Sequence, residues 1–209
     1  MKFDPSLYLV TDSKLCGERG VLRTVEAAIE GGVSLVQLRD KEATTRDLAQ
    51  LALVLLEILK EKTIPLIIND RLDVALATGA DGVHLGQSDL DAAAARKLAG
   101  PDFLIGLTVS RAEEIAWANS LPPGTLDYLG IGPVFATSTK KNALDPLGVS
   151  AVKMLCQTTR LPCIGIGGIS FENASEAWSS GVDGLAVASV ICAAEDPKAA
   201  AQAMKDARI

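Results

Sequence analysis

A (β/α)8 TIM barrel is the fold that this sequence predicts, and three observations predict it. Short apolar runs alternate with longer Ala- and Leu-rich stretches eight times along the 209 residues. The apolar runs are continuous, as expected for parallel strands that are buried on both faces. Three of the helical stretches are followed by glycine, in "EGGVSLV", "TGADGVHL" and "SGVDGLAV", where a positive φ ends a helix. Eight such units in about 200 residues match the lower size limit of this barrel.

The elements are predicted in strict alternation, as eight strands and eight helices. The strands are "LYLVTD", "VSLVQLRD", "PLIIND", "GVHLG", "FLIGLTVS", "YLGIGPVF", "PCIGIGGIS" and "GLAVASVI". The helices are "VLRTVEAAIEGG", "TRDLAQLALVLLEILKEK", "RLDVALATGA", "DLDAAAARKLAG", "RAEEIAWANS", "GVSAVKMLCQTT", "ENASEAWSSG" and "DPKAAAQAMKDA". An open doubly wound sheet is the alternative, but the first strand lacks the Gly-x-Gly-x-x-Gly turn typical of that fold. No linker is visible, so we expect one catalytic domain over residues 1–209.

Composition limits the classes of function. The net charge of -6 argues against nucleic-acid binding, which needs a basic face. No apolar run approaches the roughly 20 residues of a membrane span, and the N-terminal segment "MKFDPSLYLVTD" resembles a first strand more than a signal peptide. The four cysteines have no Cys-x-x-Cys spacing, which favours inert thiols in a reduced cytoplasm. We therefore expect a cytoplasmic protein with small-molecule partners, and leave open whether it is a homo-oligomer.

In this barrel, chemistry occurs at the C-terminal ends of the strands. Strand two ends in "VQLRDK", so Gln37, Arg39 and Lys41 share one face if the strand continues that far. An amide and two cations at the barrel mouth suit an anionic ligand, and Arg can bind phosphate oxygens in bidentate fashion. The alternative is a solvated strand end in which these cations pair with Asp40 or Glu42.

Two carboxylates follow neighbouring strands and predict a metal site. Asn69 and Asp70 end strand three, and Asp89 follows strand four. The two Asp side chains could share Mg²⁺, with water and phosphate oxygens completing the octahedron. The alternative for Asp89 is an N-cap role, because "SDL" precedes an Ala-rich run. His84, the one histidine, is expected to be structural or to line a substrate site.

A second anion site is predicted after strands seven and eight. Thr108, at the end of strand five, offers a hydroxyl that has little specificity as a signal by itself. Gly167, Gly168, Ala188 and Ser189 would bind phosphate through backbone N–H groups, in the recurrent phosphate position of this barrel. The alternative is that the glycines merely allow a tight turn.

The segment "VFATSTKKNALDPLG", after strand six, lies between these two anion sites. It contains five consecutive hydroxyl or ammonium side chains: Thr137, Ser138, Thr139, Lys140 and Lys141. A connection of roughly a dozen residues is long for this position and predicts a lid. No nucleophile–base pair is evident, which favours a reaction that needs mainly placement and charge neutralisation.

Taken together, "YLVTD", "VQLRDK", "IINDRLDVALATGADGVHLGQSDL", "GLTVS", "YLGIGPVFATSTKKNA", "GIGGIS" and "GLAVASVI" resemble the thiamine phosphate synthase family over about Leu7 to Ile191. That family joins a hydroxymethylpyrimidine diphosphate to a thiazole phosphate, which gives thiamine monophosphate and pyrophosphate. The resemblance implies that Asp70 and Asp89 bind Mg²⁺. It also implies that the pyrimidine diphosphate is contacted by Gln37, Arg39, Lys41, Asn69 and Thr108.

The resemblance assigns the remaining residues as well. Lys140 is similar to the lysine that reaches the diphosphate, and with Arg39 and Lys41 it forms the expected catalytic set. The implied mechanism is dissociative: pyrophosphate departs first, and the thiazole nitrogen attacks the remaining methylene cation. Ala188 stands where the family usually has a larger aliphatic residue. The thiazole phosphate is expected to be contacted by Thr137, Ser138, Thr139, Gly167, Gly168, Ala188 and Ser189.

Three alternatives remain at this stage. A thiazole tautomerase on the same barrel needs no diphosphate site, and the histidine that it looks to use after strand five is absent from "TVSRAEEIA". A non-catalytic phosphate-binding barrel has no reason to keep both the carboxylates and "TSTK". A phosphosugar isomerase or aldolase that forms a Schiff base would need a buried lysine near a strand end.

Overall fold

Eight parallel strands close into a barrel in sequence order in the computed structural model, which describes residues 3–137 and 144–208. β1 pairs with both β2 and β8, so the barrel prediction is confirmed and the open sheet is excluded. The strands are β1 (Leu7–Val10), β2 (Leu35–Leu38), β3 (Leu66–Asn69), β4 (Gly82–Leu85), β5 (Leu104–Val109), β6 (Tyr128–Ile131), β7 (Cys163–Ile166) and β8 (Gly184–Val187).

The prediction of eight helices in strict alternation with the strands is wrong in number, because the described residues form ten α-helices. They are α1 (Ser13–Cys16), α2 (Gly20–Glu30), α3 (Thr45–Lys60), α4 (Leu72–Thr78), α5 (Ala92–Ala99), α6 (Ala112–Ser120), α7 (Val149–Cys156), α8 (Ala174–Ser179), α9 (Ser189–Cys192) and α10 (Pro197–Asp206). The two additional helices, α1 and α9, follow the adjacent strands β1 and β8. A 3-10 turn, Gly17–Arg19, joins α1 to α2.

The predicted eighth strand is too long. "GLAVASVI" was expected to be one strand, yet β8 ends at Val187 and α9 begins at Ser189. Ile191 and Cys192 of α9 are fully buried, so they satisfy the apolar pattern as helix rather than as strand. A short apolar run does not distinguish these two structures by itself.

The glycines predicted to end three helices have the expected conformation. Gly32, Gly79 and Gly181 have φ values of 102°, 73° and 79°. Gly79 directly caps α4, where its N–H donates to the Ala75 carbonyl. Each glycine lets the chain leave a helix and enter the next strand within a few residues.

Side chains of the strands alternate between two apolar regions. Those that point outward pack under the helices, and those that point inward fill the barrel. The inward cluster consists of Phe3, Tyr8, Val10, Leu35, Ile67, Leu104, Tyr128, Ile164 and Ala186. Two inward glycines make room for rings: a Cβ at Gly106 would lie 2.1 Å from Tyr128, and one at Gly130 would lie 3.1 Å from His84. The barrel interior is therefore packed around aromatic side chains.

The cysteines are free thiols that meet in two pairs. Cys16 of α1 and Cys192 of α9 are neighbours, and the adjacent Cys192 thiol lowers the pKa of Cys16. Cys156 and Cys163 form the second pair, in which the neighbouring thiol and burial raise the pKa of Cys163. Cys16 and Cys192 are far apart in sequence and Cys156 and Cys163 are not in a Cys-x-x-Cys motif, so spacing alone did not indicate either pair. Within the described ranges, no helix has both the length and the apolar character needed to cross a bilayer.

Candidate active site

Gln37 lies inside the barrel rather than on an exposed strand end. β2 ends at Leu38, so the strand does not continue to Arg39 and Lys41, and the shared-face argument does not apply to them. Gln37 is 3% exposed, and its amide N–H donates to the Tyr8 hydroxyl at 2.8 Å.

Arg39 and Lys41 reach the loops after two other strands. The Arg39 guanidinium lies 3.4 Å from the Asp12 carboxylate, which follows β1. The Lys41 ammonium lies 3.3 Å from the Asp70 carboxylate, which follows β3. Both cations therefore stand at the C-terminal end of the barrel, where an anion could bind between them.

The alternative pairing of these cations within their own loop is wrong. Asp40 instead accepts the backbone N–H groups of Glu42 and Ala43, each at 3.0 Å, and stabilises the turn. Glu42 forms its ion pair with Lys14 of α1. Within the described residues, the ion pairs of Arg39 and Lys41 are thus with carboxylates that follow other strands, Asp12 and Asp70.

Asp70 and Asp89 meet at the barrel mouth. Asp89 Oδ2 accepts the Gly86 N–H at 2.7 Å, and Asp70 is close enough to Asp89 to influence its pKa. Burial raises the pKa of Asp89, and the adjacent Asp70 carboxyl raises it further. The N-cap alternative for Asp89 is wrong, because Asp91 caps α5 by accepting the Ala94 N–H.

This pair of carboxyl groups has the chemistry to bind Mg²⁺, an ion that needs few ligands from the protein. In the part of the chain that the structure describes, no three His, Cys, Asp or Glu side chains group as metal ligands. Mg²⁺ is commonly held by one or two carboxylates, with waters and substrate phosphates as its other ligands. Asp70 also has a φ of +62°, a conformation that non-glycine residues rarely adopt and that often marks a functional position.

A chain of hydrogen bonds crosses the barrel interior. The Tyr8 and Tyr128 hydroxyls are 2.8 Å apart, and Tyr128 Oη lies 3.1 Å from His84 Nδ1. His84 Nε2 lies 2.7 Å from the Thr108 hydroxyl. Gln37 and Thr108, both predicted site residues, are the two ends of this chain. Burial raises the pKa of both tyrosines, so both keep their protons.

Sequence reasoning missed Tyr8 and Tyr128. A tyrosine in an apolar strand looks like any large core residue, and its partner lies 120 residues away. The signal that was available is that buried tyrosine hydroxyls need hydrogen-bond partners.

Gly167 and Gly168 have a steric role. Their φ values are 97° and 67°. A Cβ at Gly167 would lie 2.6 Å from Pro133 Cβ, and one at Gly168 would lie 2.4 Å from the Ala136 carbonyl oxygen. The glycines thus let the loop after β6 pack closely on the end of β7. The tight-turn alternative has direct support, and it leaves phosphate binding by the same backbone as a prediction.

A cavity of about 450 Å³ opens beside these glycines. Thr137, Gly168 and Ser189, all predicted site residues, contribute to its wall. Ala188 and Ser189 stand where β8 passes into α9. Sequence reasoning missed three polar residues of the cavity, although each follows β1 or β7 directly or within a few positions: Asp12, Lys14 and Ser170.

Asn69 ends β3 beside His84 in the β4 register, and so belongs to the same end of the barrel. Four predicted residues of the segment after β6 lie outside the described residues: Ser138, Thr139, Lys140 and Lys141. The lid prediction lies outside them for the same reason.

Another cavity, of about 340 Å³, lies at the opposite end of the barrel. Ser6, Trp178 and Lys205 contribute to its wall, and Ser6 directly precedes β1. The N-terminal end of strands in this fold contributes stability rather than chemistry. The cavity beside Gly168 is therefore the candidate site of the two.

Comparison with known proteins identifies the family of this chain. The family model described as thiamine monophosphate synthase matches residues 7–191. A thiamine-phosphate synthase of Azorhizobium caulinodans is 52% identical over 97% of this chain and 94% of its own length. The enzyme of the same name from Albidiferax ferrireducens is 49% identical over 93% of this chain and 88% of its own length.

Solved structures show the same family and fold. A thiamine phosphate pyrophosphorylase from Pyrococcus furiosus superimposes with a TM-score of 0.88 at 34% identity, covering 99% of this chain and 96% of the other. A 3-hexulose-6-phosphate synthase, at a TM-score of 0.66 and 17% identity, shares the fold alone. The chain therefore belongs to the thiamine monophosphate synthase family and is an enzyme of the transferase class.

Proposed function

We propose that this enzyme joins 4-amino-2-methyl-5-hydroxymethylpyrimidine diphosphate to 4-methyl-5-(2-phosphooxyethyl)thiazole and releases thiamine monophosphate and pyrophosphate. The observation that carries the proposal is the Asp70–Asp89 pair with Lys41 at 3.3 Å from Asp70. A carboxylate pair and a nearby cation suit a magnesium-bound diphosphate better than a monophosphate or a neutral ligand.

Asp70 and Asp89 would hold Mg²⁺, which supplies positive charge to the diphosphate oxygens when it is bound. Arg39 and Lys41 act on the same leaving group, as does Lys140 by prediction. The bond between the pyrimidine methylene carbon and oxygen breaks, and its electron pair leaves with pyrophosphate. The lone pair of the thiazole nitrogen then forms the new carbon–nitrogen bond. Stabilising the departing charge, rather than removing a proton, is the main requirement of this dissociative route.

The substrates would occupy neighbouring parts of the mouth. Gln37, Asn69 and Thr108 would contact the pyrimidine, since Gln37 and Thr108 end the hydrogen-bonded interior and Asn69 ends β3 beside His84. The cavity of about 450 Å³ suits the thiazole phosphate, since Thr137 and Ser189 offer hydroxyls in its wall. Contacts to the thiazole phosphate from Ser138, Thr139, Gly167, Gly168 and Ala188 belong to the same proposal.

The wider context is proposed on the same basis. Free thiols at every cysteine support a reducing compartment and hence a cytoplasmic location. Phosphorylated small molecules are the proposed partners rather than nucleic acid, given the net charge of -6. The oligomeric state stays open, a homo-oligomer included.

A product assay tests the reaction. The purified protein is mixed with the pyrimidine diphosphate, the thiazole phosphate and Mg²⁺, and thiamine monophosphate and pyrophosphate are measured. We expect both products in equal amounts. Tautomerised thiazole without thiamine monophosphate would show that the tautomerase alternative is correct, and binding without any reaction would show a phosphate-binding module.

A further inference from the structure

The hydrogen-bond chain through the barrel runs from Gln37 on β2 to Thr108 on β5. Its links measure 2.8 Å from Gln37 to Tyr8, 2.8 Å from Tyr8 to Tyr128, 3.1 Å from Tyr128 to His84 and 2.7 Å from His84 to Thr108. All four distances are those of normal hydrogen bonds. The two ends are predicted substrate contacts, while the three central side chains lie beneath them.

The central side chains are held in place by packing. Tyr8 is 1% exposed, Tyr128 is fully buried and His84 is 6% exposed. The Tyr128 ring occupies the space above Gly106, and the His84 ring stacks on Tyr128 with ring centroids 5.5 Å apart. Because the rings cannot turn toward water, each buried hydroxyl must find its partners within the chain.

Because each buried hydroxyl needs partners, the hydrogen bonds from Gln37 to Thr108 can have only one order of donors and acceptors. The Gln37 amide N–H donates to Tyr8 Oη, so that oxygen already accepts one hydrogen bond. Within the described residues, Tyr128 is the other partner of Tyr8 Oη, and it therefore receives the Tyr8 proton. Tyr128 in turn donates its own proton to His84 Nδ1. The opposite direction would leave the buried Tyr8 proton without an acceptor.

We infer that this chain fixes His84 as the neutral tautomer with hydrogen on Nε2, and thereby makes Thr108 a hydrogen-bond donor toward the barrel mouth. With Nδ1 accepting from Tyr128, Nε2–H donates to Thr108 Oγ1 at 2.7 Å. The Thr108 hydroxyl accepts that bond and directs its own proton elsewhere. Tyr8, Tyr128 and His84 are positioning residues in this arrangement.

The direction of the chain selects the ligand atom. A Thr108 hydroxyl that donates requires an acceptor, such as an unprotonated ring nitrogen, and disfavours an N–H group at the same place. The step from ring nitrogen to the aminopyrimidine of the substrate rests on the proposed function. The tautomer of His84 does not rest on it, because it follows from the geometry of the protein alone.

Nitrogen NMR tests the tautomer of His84 directly, because the protein has one histidine and therefore gives one set of imidazole signals. Protein labelled with ¹⁵N-histidine is measured without substrate at pH 8. We expect a protonated Nε2 resonance and an unprotonated Nδ1 resonance. A protonated Nδ1 with an unprotonated Nε2 would overturn the inference.

Gln37→Glu tests whether a reversal of the first hydrogen bond, between residue 37 and Tyr8, reverses the other hydrogen bonds as far as His84. A glutamate carboxylate has the shape of the amide but only accepts, so Tyr8 should now donate to it. Each following bond then reverses, and the proton of His84 should move from Nε2 to Nδ1. A folded Gln37→Glu protein whose new carboxyl is ionised, as side-chain ¹³C NMR reports, and which keeps the wild-type tautomer would contradict the inference.

Tyr128→Phe provides a second test if Gln37→Glu does not fold. Without the hydroxyl that donates to Nδ1, the Nε2–H tautomer should lose its preference, and both ring resonances should shift toward a mixture. Tyr8→Phe is the matched control, since it leaves Tyr128 able to donate to Nδ1 and should keep the wild-type tautomer. Unchanged resonances in Tyr128→Phe would contradict the inference.

Kinetics separate the ligand step from the tautomer. If Thr108 donates to the pyrimidine ring, Thr108→Val should raise KM for the pyrimidine diphosphate about tenfold, and Thr108→Ser should restore it. An unchanged KM in Thr108→Val would overturn the ligand step alone. If wild-type protein makes no thiamine monophosphate but shows the Nε2–H tautomer, the proposed function is wrong. The inferred direction of the hydrogen bonds would still hold.

Discussion

Asp70 combines a charge with an unusual backbone. Its φ of +62° lies in the left-handed region, where asparagine and aspartate are tolerated better than alanine. The Asp70 N–H donates to the His84 carbonyl at 2.9 Å, which ties this conformation to β4. A substitution at Asp70 therefore changes both charge and strain unless the new residue also accepts a positive φ.

The substitutions Asp70→Asn and Asp70→Ala should separate these two effects. Both remove the carboxylate and should lower turnover by at least about 100-fold, more than is usual for residues that only support a metal ligand. Asp70→Ala should also lower the free energy of unfolding by about 1 kcal/mol relative to Asp70→Asn, because alanine is strained at this φ. Urea unfolding and steady-state assays measure the two effects. Equal stabilities, or turnover near that of wild type, would contradict this assignment.

Asp89 should destabilise the metal-free protein when it is ionised. Its pKa is raised in the fold, chiefly by burial and further by Asp70, so the folded state disfavours the carboxylate relative to the unfolded chain. This cost is absent below the unfolded pKa of about 4 and grows as pH rises through the raised folded pKa.

The substitution Asp89→Asn should therefore raise the Tm at neutral pH in buffer with a chelator, and the gain should vanish near pH 3. Asparagine keeps an oxygen for the Gly86 N–H, so the loop contact is retained. Thermal unfolding across the pH range measures the difference. A variant that is less stable than wild type at neutral pH would show that the partly buried, ionised Asp89 does not destabilise the fold.

The connection after β6 is fixed to β7 at its beginning. Val134 N–H donates to the Ile166 carbonyl at 2.9 Å, and Phe135 N–H donates to the Gly167 carbonyl at 3.0 Å. The close approach at Gly168 continues this contact as far as Ala136. Thr137 is thus positioned in the cavity wall by backbone contacts between two elements.

The substitution Gly168→Ala should raise KM for the thiazole phosphate about tenfold or more, since its Cβ would displace the loop that carries Thr137. Gly124→Ala is the matched control, because Gly124 has a φ of 82° but nothing within 4 Å of an added Cβ. Both variants should lose about 1 kcal/mol of stability from the positive φ, and Gly168→Ala should lose more because its Cβ would overlap the Ala136 backbone, as urea unfolding measures. A similar KM in the two variants would show that the loop contact does not position the site.

Elements were predictable where the local pattern had one interpretation. The eight strands and the glycines after α2, α4 and α8 follow from apolar runs and turn chemistry. The short helices α1 and α9 were not predicted, because four residues give too little periodicity to recognise a helix. The cap of α5 was equally ambiguous, since both Asp89 and Asp91 precede the Ala-rich run and only the fold places Asp89 against Gly86.

At the scale of the whole molecule, closure of the barrel brings distant residues together. The placement of site residues at the C-terminal strand ends was predictable from the fold class. The partners of those residues were not, because they depend on register and loop geometry: Arg39 with Asp12, Lys41 with Asp70, and Tyr8 with Tyr128. An overall charge of -6 is compatible with an anion site because positive side chains are needed only at the mouth.

The central claim is that Asp70 and Asp89 hold the Mg²⁺ on which thiamine monophosphate formation depends. The most direct measurement is the rate of product formation as Mg²⁺ is titrated into wild type, Asp89→Asn and Asp91→Asn. Asp91 lies two residues from Asp89 but caps α5, a role that asparagine performs equally well. We expect Asp91→Asn to follow the wild-type curve, and Asp89→Asn to need at least about 10-fold more Mg²⁺ and to reach a lower rate. Identical Mg²⁺ curves for all three proteins would contradict the account.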